Sequence, residues 1–252
     1  MTTVALCSAS GAPGVTTSAL ALTWVWPQVQ PGRRVLLVDA DPSGSGLLGG
    51  ALQATLAPGA GVLELAALTG APAAPDLLAR STALDREGLR MVLPGVSDPH
   101  QARTLAALWA GLADAAFDLH VAGTDVVIDA GRVGHRDEPT SLLSDADVVA
   151  VVLSPTVAHT VATSAALRRL TAARAPRSAP TVVVVGARRP YMAGEVERAL
   201  HCPVEVVAFD NPTAQALNAG ASPGARLDRS TLLRSVRGLG SNLLAGVPTW
   251  VL

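Results

Sequence analysis

Seven short runs rich in valine and leucine recur along this chain, with room for a helix between most of them. They are TVALC (3–7), RVLLVDA (34–40), LRMVLPG (89–95), TDVVIDAG (124–131), DVVAVVLS (147–154), TVVVVGA (181–187) and VEVVAF (204–209). Most end at Gly, Pro or Asp, and the central ones are apolar at successive positions. That pattern predicts strands buried on both faces. Helical stretches are expected at 16–25, about 99–116, 158–174, 191–200 and 212–219. Alternating strands and helices require right-handed crossovers, so the chain predicts an α/β fold: three layers, with a mainly parallel sheet and helices on both faces.

Length and composition agree. The 252 residues suffice for one large domain, here expected over 1–252, and no linker divides them. Segment 43–88 is the least regular, with Gly-rich turns at 44–50, a helix expected in GVLELAAL and a Pro-broken GAPAAPDLLARS. Only 3% of residues are aromatic against 49% hydrophobic overall, so Ala, Val and Leu must fill the core. The net charge of −1 gives no global field for nucleic acid. All 19 basic side chains are arginine. Cys7 and Cys202 lack metal-ligand or CxxC spacing, and Cys7 reads as a small buried hydrophobe. With no signal peptide and no apolar run of the ~18 residues that span a bilayer, a soluble cytoplasmic protein is expected.

The segment SASGAPGVTTSALAL (8–22) joins the first strand to an apolar helix through a glycine-bearing turn. Backbone N–H groups at such a helix start donate to phosphate oxygens. In open parallel sheets, ligands sit beyond the carboxyl ends of the strands. Two other strands carry aspartates there, in VDADPSGSG and IDAG. A hydroxyl and nearby carboxylates beside a phosphate loop are the parts of a magnesium–phosphate site. The loop lacks GxGxxG, which disfavours a dinucleotide-binding domain.

Taken in order, the loop, VLLVDADPSG, DVVIDAG, ADVVAVVLSPTVAHTVATSAAL and PVEVVAFDNPTAQALNAGASP resemble the ParA/MinD family over nearly the whole length. These are P-loop NTPase-like, deviant Walker A ATPases. The family's loop runs Gly-Lys-Gly-Gly-x-Gly-Lys-Thr-Thr. Aligned residues here are Ala9, Ser10, Gly11, Ala12, Pro13, Gly14, Val15, Thr16 and Thr17. Ser10 stands where the family has its signature lysine, and Val15 where it has the lysine of the outer phosphates. The resemblance implies ATP and Mg2+ as cofactors. Ser10, Gly11, Gly14, Val15, Thr16 and Thr17 are then the nucleotide-binding positions, and Thr16, Asp39 and Asp129 surround the metal. Asp41 aligns with the water-orienting, catalytic aspartate. Because the chain has no lysine, Arg132, Arg136, Arg188 and Arg189 are the cations that follow carboxyl-end strands.

The function the resemblance implies is a nucleotide-dependent positioning or partitioning switch with a degenerate ATP site and weak or no hydrolysis. It would work as a homodimer, recruited by a protein partner to nucleoid, membrane or pole. The alternative is a pseudo-ATPase scaffold in a pilus or secretion assembly of the CpaE/TadZ type. A small-molecule enzyme such as an amidoligase ranks below both, since those also use a loop lysine. Nonspecific DNA contact through RRLTAARAPR (168–177) is not favoured over arginines matching a helix end. His135 and His159 read as a loop residue and a helix-start residue. In the tail, Leu232, Leu233, Val236, Leu239, Leu243 and Leu244 share a face, which predicts a helix packed on the sheet rather than on a membrane.

Overall fold

A computed structural model describes residues 3–11, 14–57, 59–186, 190–221 and 225–245. Eight strands form one sheet in the order β3-β4-β2-β5-β1-β6-β7-β8. They are β1 (Thr3–Ser8), β2 (Arg34–Asp39), β3 (Thr82–Ala83), β4 (Arg90–Leu93), β5 (Thr124–Arg132), β6 (Val148–Leu153), β7 (Thr181–Val185) and β8 (Val204–Val207). Every pairing is parallel except that of β3 with β4. The expected α/β architecture is therefore observed. Each of the seven valine-rich runs forms a strand; the two-residue edge strand β3 adds an eighth.

The strands of the centre are buried at every position from Thr3 to Ser8 and from Val148 to Leu153. Such strands need cover on both faces. On one side Val4, Leu6, Leu37 and Val127 pack beneath α1 (Val15–Val29), α8 (Asn211–Asn218) and α10 (Thr231–Ala245). On the other, Ala5, Leu36, Ile128 and Val149 meet α2 (Val62–Ala66), α3 (Ala74–Ala79), α4 (Ala106–Val121), α5 (Thr140–Asp145) and α6 (Val157–Arg174). Helix α7 (Ala193–Leu200) places Val196 against Leu153 and Val184 at the far edge, and α9 spans Ala225–Asp228.

The stretch expected as one helix at 99–116 is two elements. Asp98 caps a 3₁₀ turn at Pro99–Thr104, and the buried Leu105 then caps α4. The tail helix packs inward as expected, burying Leu232, Leu233, Val236, Leu239 and Leu243. Among the described residues no helix is long and apolar enough to cross a membrane.

Candidate nucleotide and metal site

Strands β2, β5 and β1 lie side by side, so their carboxyl ends open together beneath the loop that leads into α1. Gly14 caps α1 at φ +106°, in the left-handed region that a side chain would strain. The first turn of α1 carries no acidic residue, and the cap offers no side-chain acceptor. The positive end of the helix dipole is thus not neutralised by its own first turn.

The positions singled out in the sequence fall into three groups. Ser10 is half-buried and Gly11 exposed on the approach to the loop's turn; Ala12 and Pro13 lie outside the described residues. The Val15 side chain is buried, in the same apolar cluster as Ala19, Val207 and Leu217, and brings no charge or polar atom to the site. Thr16 and Thr17 are half-buried. The Thr16 hydroxyl sits beside Asp129 and favours its ionised form. The Thr17 hydroxyl accepts from Asn218 Nδ2 at 2.9 Å, a partner on α8.

The aspartates converge. Asp39 and Asp129 are register partners on adjacent strands and are both buried. Ser45 Oγ donates to Asp39 Oδ2 at 2.6 Å, and the Asp41 N–H approaches Oδ1 at 3.4 Å. Asp41 accepts the Ser43 N–H at 2.8 Å and lies against Gly131, where a Cβ would overlap its carboxylate. Asp129 Oδ1 accepts the Gly131 N–H at 3.0 Å. Its Oδ2 is buried with no hydrogen-bond partner among the described residues.

Burial raises both carboxyls above the ordinary range. For Asp39 the Asp129 charge adds to it, while the Ser45 hydroxyl works against it. For Asp129 the Thr16 hydroxyl opposes the rise and the Asp41 charge supports it. Two buried acids, one with an orphaned oxygen, make a site that gains from a cation. No three His, Cys, Asp or Glu among the described residues enclose a metal by themselves. Magnesium suits that arrangement, since it takes one or two carboxylates and completes its shell with water and substrate phosphates. The residues present fit the ion on these grounds.

One feature escaped the sequence. Beside the loop lies a cavity of about 210 Å3 lined by Gly14, Thr17, Phe209, Asp210, Asn211 and Asn218. Phe209 is largely exposed, whereas Asp210 is engaged in capping α8 and holding Thr231. The signal available was FDNP directly after the last valine run, on the carboxyl side of the sheet.

Several of the other flagged residues serve structure. Arg174 is buried and donates to the carbonyls of Leu143 (2.6 Å), Asp147 and Ser178. Arg169 grips Glu138 through two hydrogen bonds of 2.6 and 3.0 Å. In the 168–177 segment Arg174 is thus consumed internally and Arg169 is paired, while Arg168, Arg169 and Arg177 remain exposed. His135 Nδ1 accepts the Asp137 N–H within its own loop, and the His159 N–H donates to the Thr156 cap. Burial pushes the Cys7 thiol up to about 12, as befits an inert core residue. Arg132 and Arg136 are exposed; Arg188 and Arg189 lie outside the described residues.

No protein-family model matches this sequence, and no curated protein matches it; the likeness is carried by structure. The fold is that of the ParA/MinD class of ATPases. Pyrococcus furiosus cell division ATPase MinD superposes with a TM-score of 0.73 at 17% identity, covering 97% of this chain and 98% of MinD. A ParA family ATPase from Chlorobium tepidum TLS gives 0.69 at 14% identity, covering 95% and 98%. The septum site-determining protein MinD of Pyrococcus horikoshii OT3, complexed with Mg-ADP, gives 0.68 at 17% identity, covering 98% of each chain.

Proposed function

We propose that this chain is a nucleotide-dependent positioning or partitioning switch of the ParA/MinD type with a degenerate ATP site. The observation that carries the proposal is the orphaned Asp129 Oδ2, buried beside Thr16 at the foot of an unneutralised helix start. In this reading the amides of Gly14, Val15, Thr16 and Thr17, with Gly11 and Ser10 on the approach, seat the phosphates. Val15 contributes its backbone only. Thr16, Asp39 and Asp129 hold the magnesium shell, and Asp41, half-buried above Gly131, orients water. The cavity at Phe209 and Asn218 takes the base. Bound magnesium would neutralise phosphate charge. Loss of a charge-assisted contact at each lysine position costs roughly 1.5–3 kcal/mol, which weakens binding without abolishing it. Hydrolysis suffers more, because cations aimed at the transferring group are worth 10³–10⁵ in rate.

Nucleotide-driven homodimerisation and recruitment of a protein partner complete the proposal. Light scattering with ATP and magnesium should show a dimer that Thr16→Ala loses; a Thr16→Ala protein that still dimerises on ATP counts against it. The burial of Val15 in the core, with no lysine anywhere in the chain, supports a second reading: a scaffold that binds no nucleotide. That reading expects no rise in melting temperature with millimolar ATP and magnesium, whereas a ligand of the native state must raise it.

A further inference from the structure

The register of β1 against β5 breaks at the site. Leu6 pairs with Asp129, but Ser8, two residues on, pairs with Arg132, three residues on. Strand β5 therefore carries one extra residue, a bulge, at Ala130–Gly131, and Gly131 adopts φ +59°. Bulges re-aim the side chains that follow them. Register partners in a parallel pair point to the same face. Leu6 faces the α1 side of the sheet, and Ser8, by the alternation of β1, faces it too. Arg132 consequently leaves β5 on the face of Asp129 and the α1 loop. Without the extra residue it would share the face of Ala130, under α4 and α5.

Arg132 is exposed and its side chain forms no ion pair or hydrogen bond among the described residues, while Asp41 lies against the preceding residue, Gly131. The adjacent strand is only about 4.8 Å away, and the loop that opens α1 springs from the end of that strand. A guanidinium offers a rigid fork of donors that matches two phosphate oxygens at once.

We infer that Arg132 is the phosphate-binding cation of this site, turned into it by the Gly131 bulge in place of the two absent loop lysines. The inference rests on the nucleotide reading above and adds to it a residue outside the loop. It explains how a lysine-free chain with three clustered carboxylates can accept a polyanion.

Isothermal titration of Mg-ATP into four proteins tests it: the unaltered chain, Arg132→Ala, Arg132→Lys and Arg136→Ala. Arg136 is an exposed arginine four residues further on and controls for the general loss of one positive charge. The expected result is a 10- to 100-fold weaker affinity for Arg132→Ala, partial recovery in Arg132→Lys, and a change within threefold for Arg136→Ala. Melting temperatures without nucleotide should be equal in all four, since neither side chain has a partner among the described residues to lose. If the unaltered chain binds and Arg132→Ala binds as well, or Arg136→Ala loses as much, the inference falls and the nucleotide reading stands. If the unaltered chain takes up no Mg-ATP, both fall.

Discussion

Asp39 sits at the last position of β2 with Asp129 as its register partner, and burial together with that neighbouring charge raises its carboxyl above the ordinary 3.8. An acid whose folded value exceeds its unfolded one holds its proton longer in the folded state. Stability then falls as pH rises through the interval between the two values. Asp39→Asn imitates the protonated acid and keeps an oxygen for Ser45. Its melting temperature should match that of the unaltered chain near pH 4 and exceed it increasingly towards pH 8, by more than about 1 kcal/mol of stability. A difference that shrinks as pH rises would contradict the burial argument. The aspartates were legible in the sequence because a strand's carboxyl end is visible as the stop of a valine run. Other residue-level facts were not. Asn218 reaches Thr17 across 201 positions of sequence, and Arg174 reads as a surface cation although it lies inside, satisfying carbonyls of α5. Only the fold brings such partners together.

At the scale of elements, legibility followed burial. Strands packed on both faces announce themselves, and so did α1, α6, α7, α8 and α10, which are long or strongly sided. The short pieces did not: α3 and α5 have six residues each, and β3 has two. Their stability comes from what they pack against, which no local pattern records. The bulge of β5 belongs to the same class, because Gly131 looks like any strand-ending glycine until its neighbour strand is placed. It is nevertheless the most demanding turn in the site. Gly131→Ala would force a Cβ into the left-handed region and against the Asp41 carboxylate. Strain of that kind costs about 1–3 kcal/mol, and each kcal/mol lowers the melting temperature by roughly 2–4 °C in a chain of this size. A drop of several degrees, with weakened Mg-ATP binding through a displaced Asp41, is the expected outcome of calorimetry and titration. A neutral Gly131→Ala would show that the bulge relaxes freely.

Across the whole molecule, β5 holds two buried carboxylates on one face, Asp125 near its start and Asp129 near its end, about 13 Å apart at strand spacing. Chemistry treats them oppositely. Asp125 receives Trp26 Nε1 at 3.0 Å, Arg33 Nε at 2.8 Å and Arg33 Nη2 at 2.8 Å, with His120 Nδ1 at 3.2 Å. Strand β5, α1, α4 and the connection before β2 are thereby tied at the end of the sheet away from the loop. Asp129, equally buried, keeps one oxygen with nothing to accept from among the described residues. A carboxylate saturated with donors stabilises its surroundings only while all partners remain; one left short costs stability until a ligand arrives. The paired substitutions Asp125→Asn and Asp129→Asn should separate these roles. Asp125→Asn sets an amide N–H2 against buried donors and deprives Arg33 of its counter-charge, at about 3–5 kcal/mol, with Mg-ATP affinity unchanged. Asp129→Asn removes an unsatisfied charge, so the protein without nucleotide melts no lower, and above the ordinary carboxylate range somewhat higher, while magnesium-dependent binding is lost. Both are read by calorimetry without ligand and by titration of ATP with and without magnesium. If Asp129→Asn destabilises the chain and leaves binding intact, that carboxylate is a structural group like Asp125, and the metal assignment at the end of β5 is refuted.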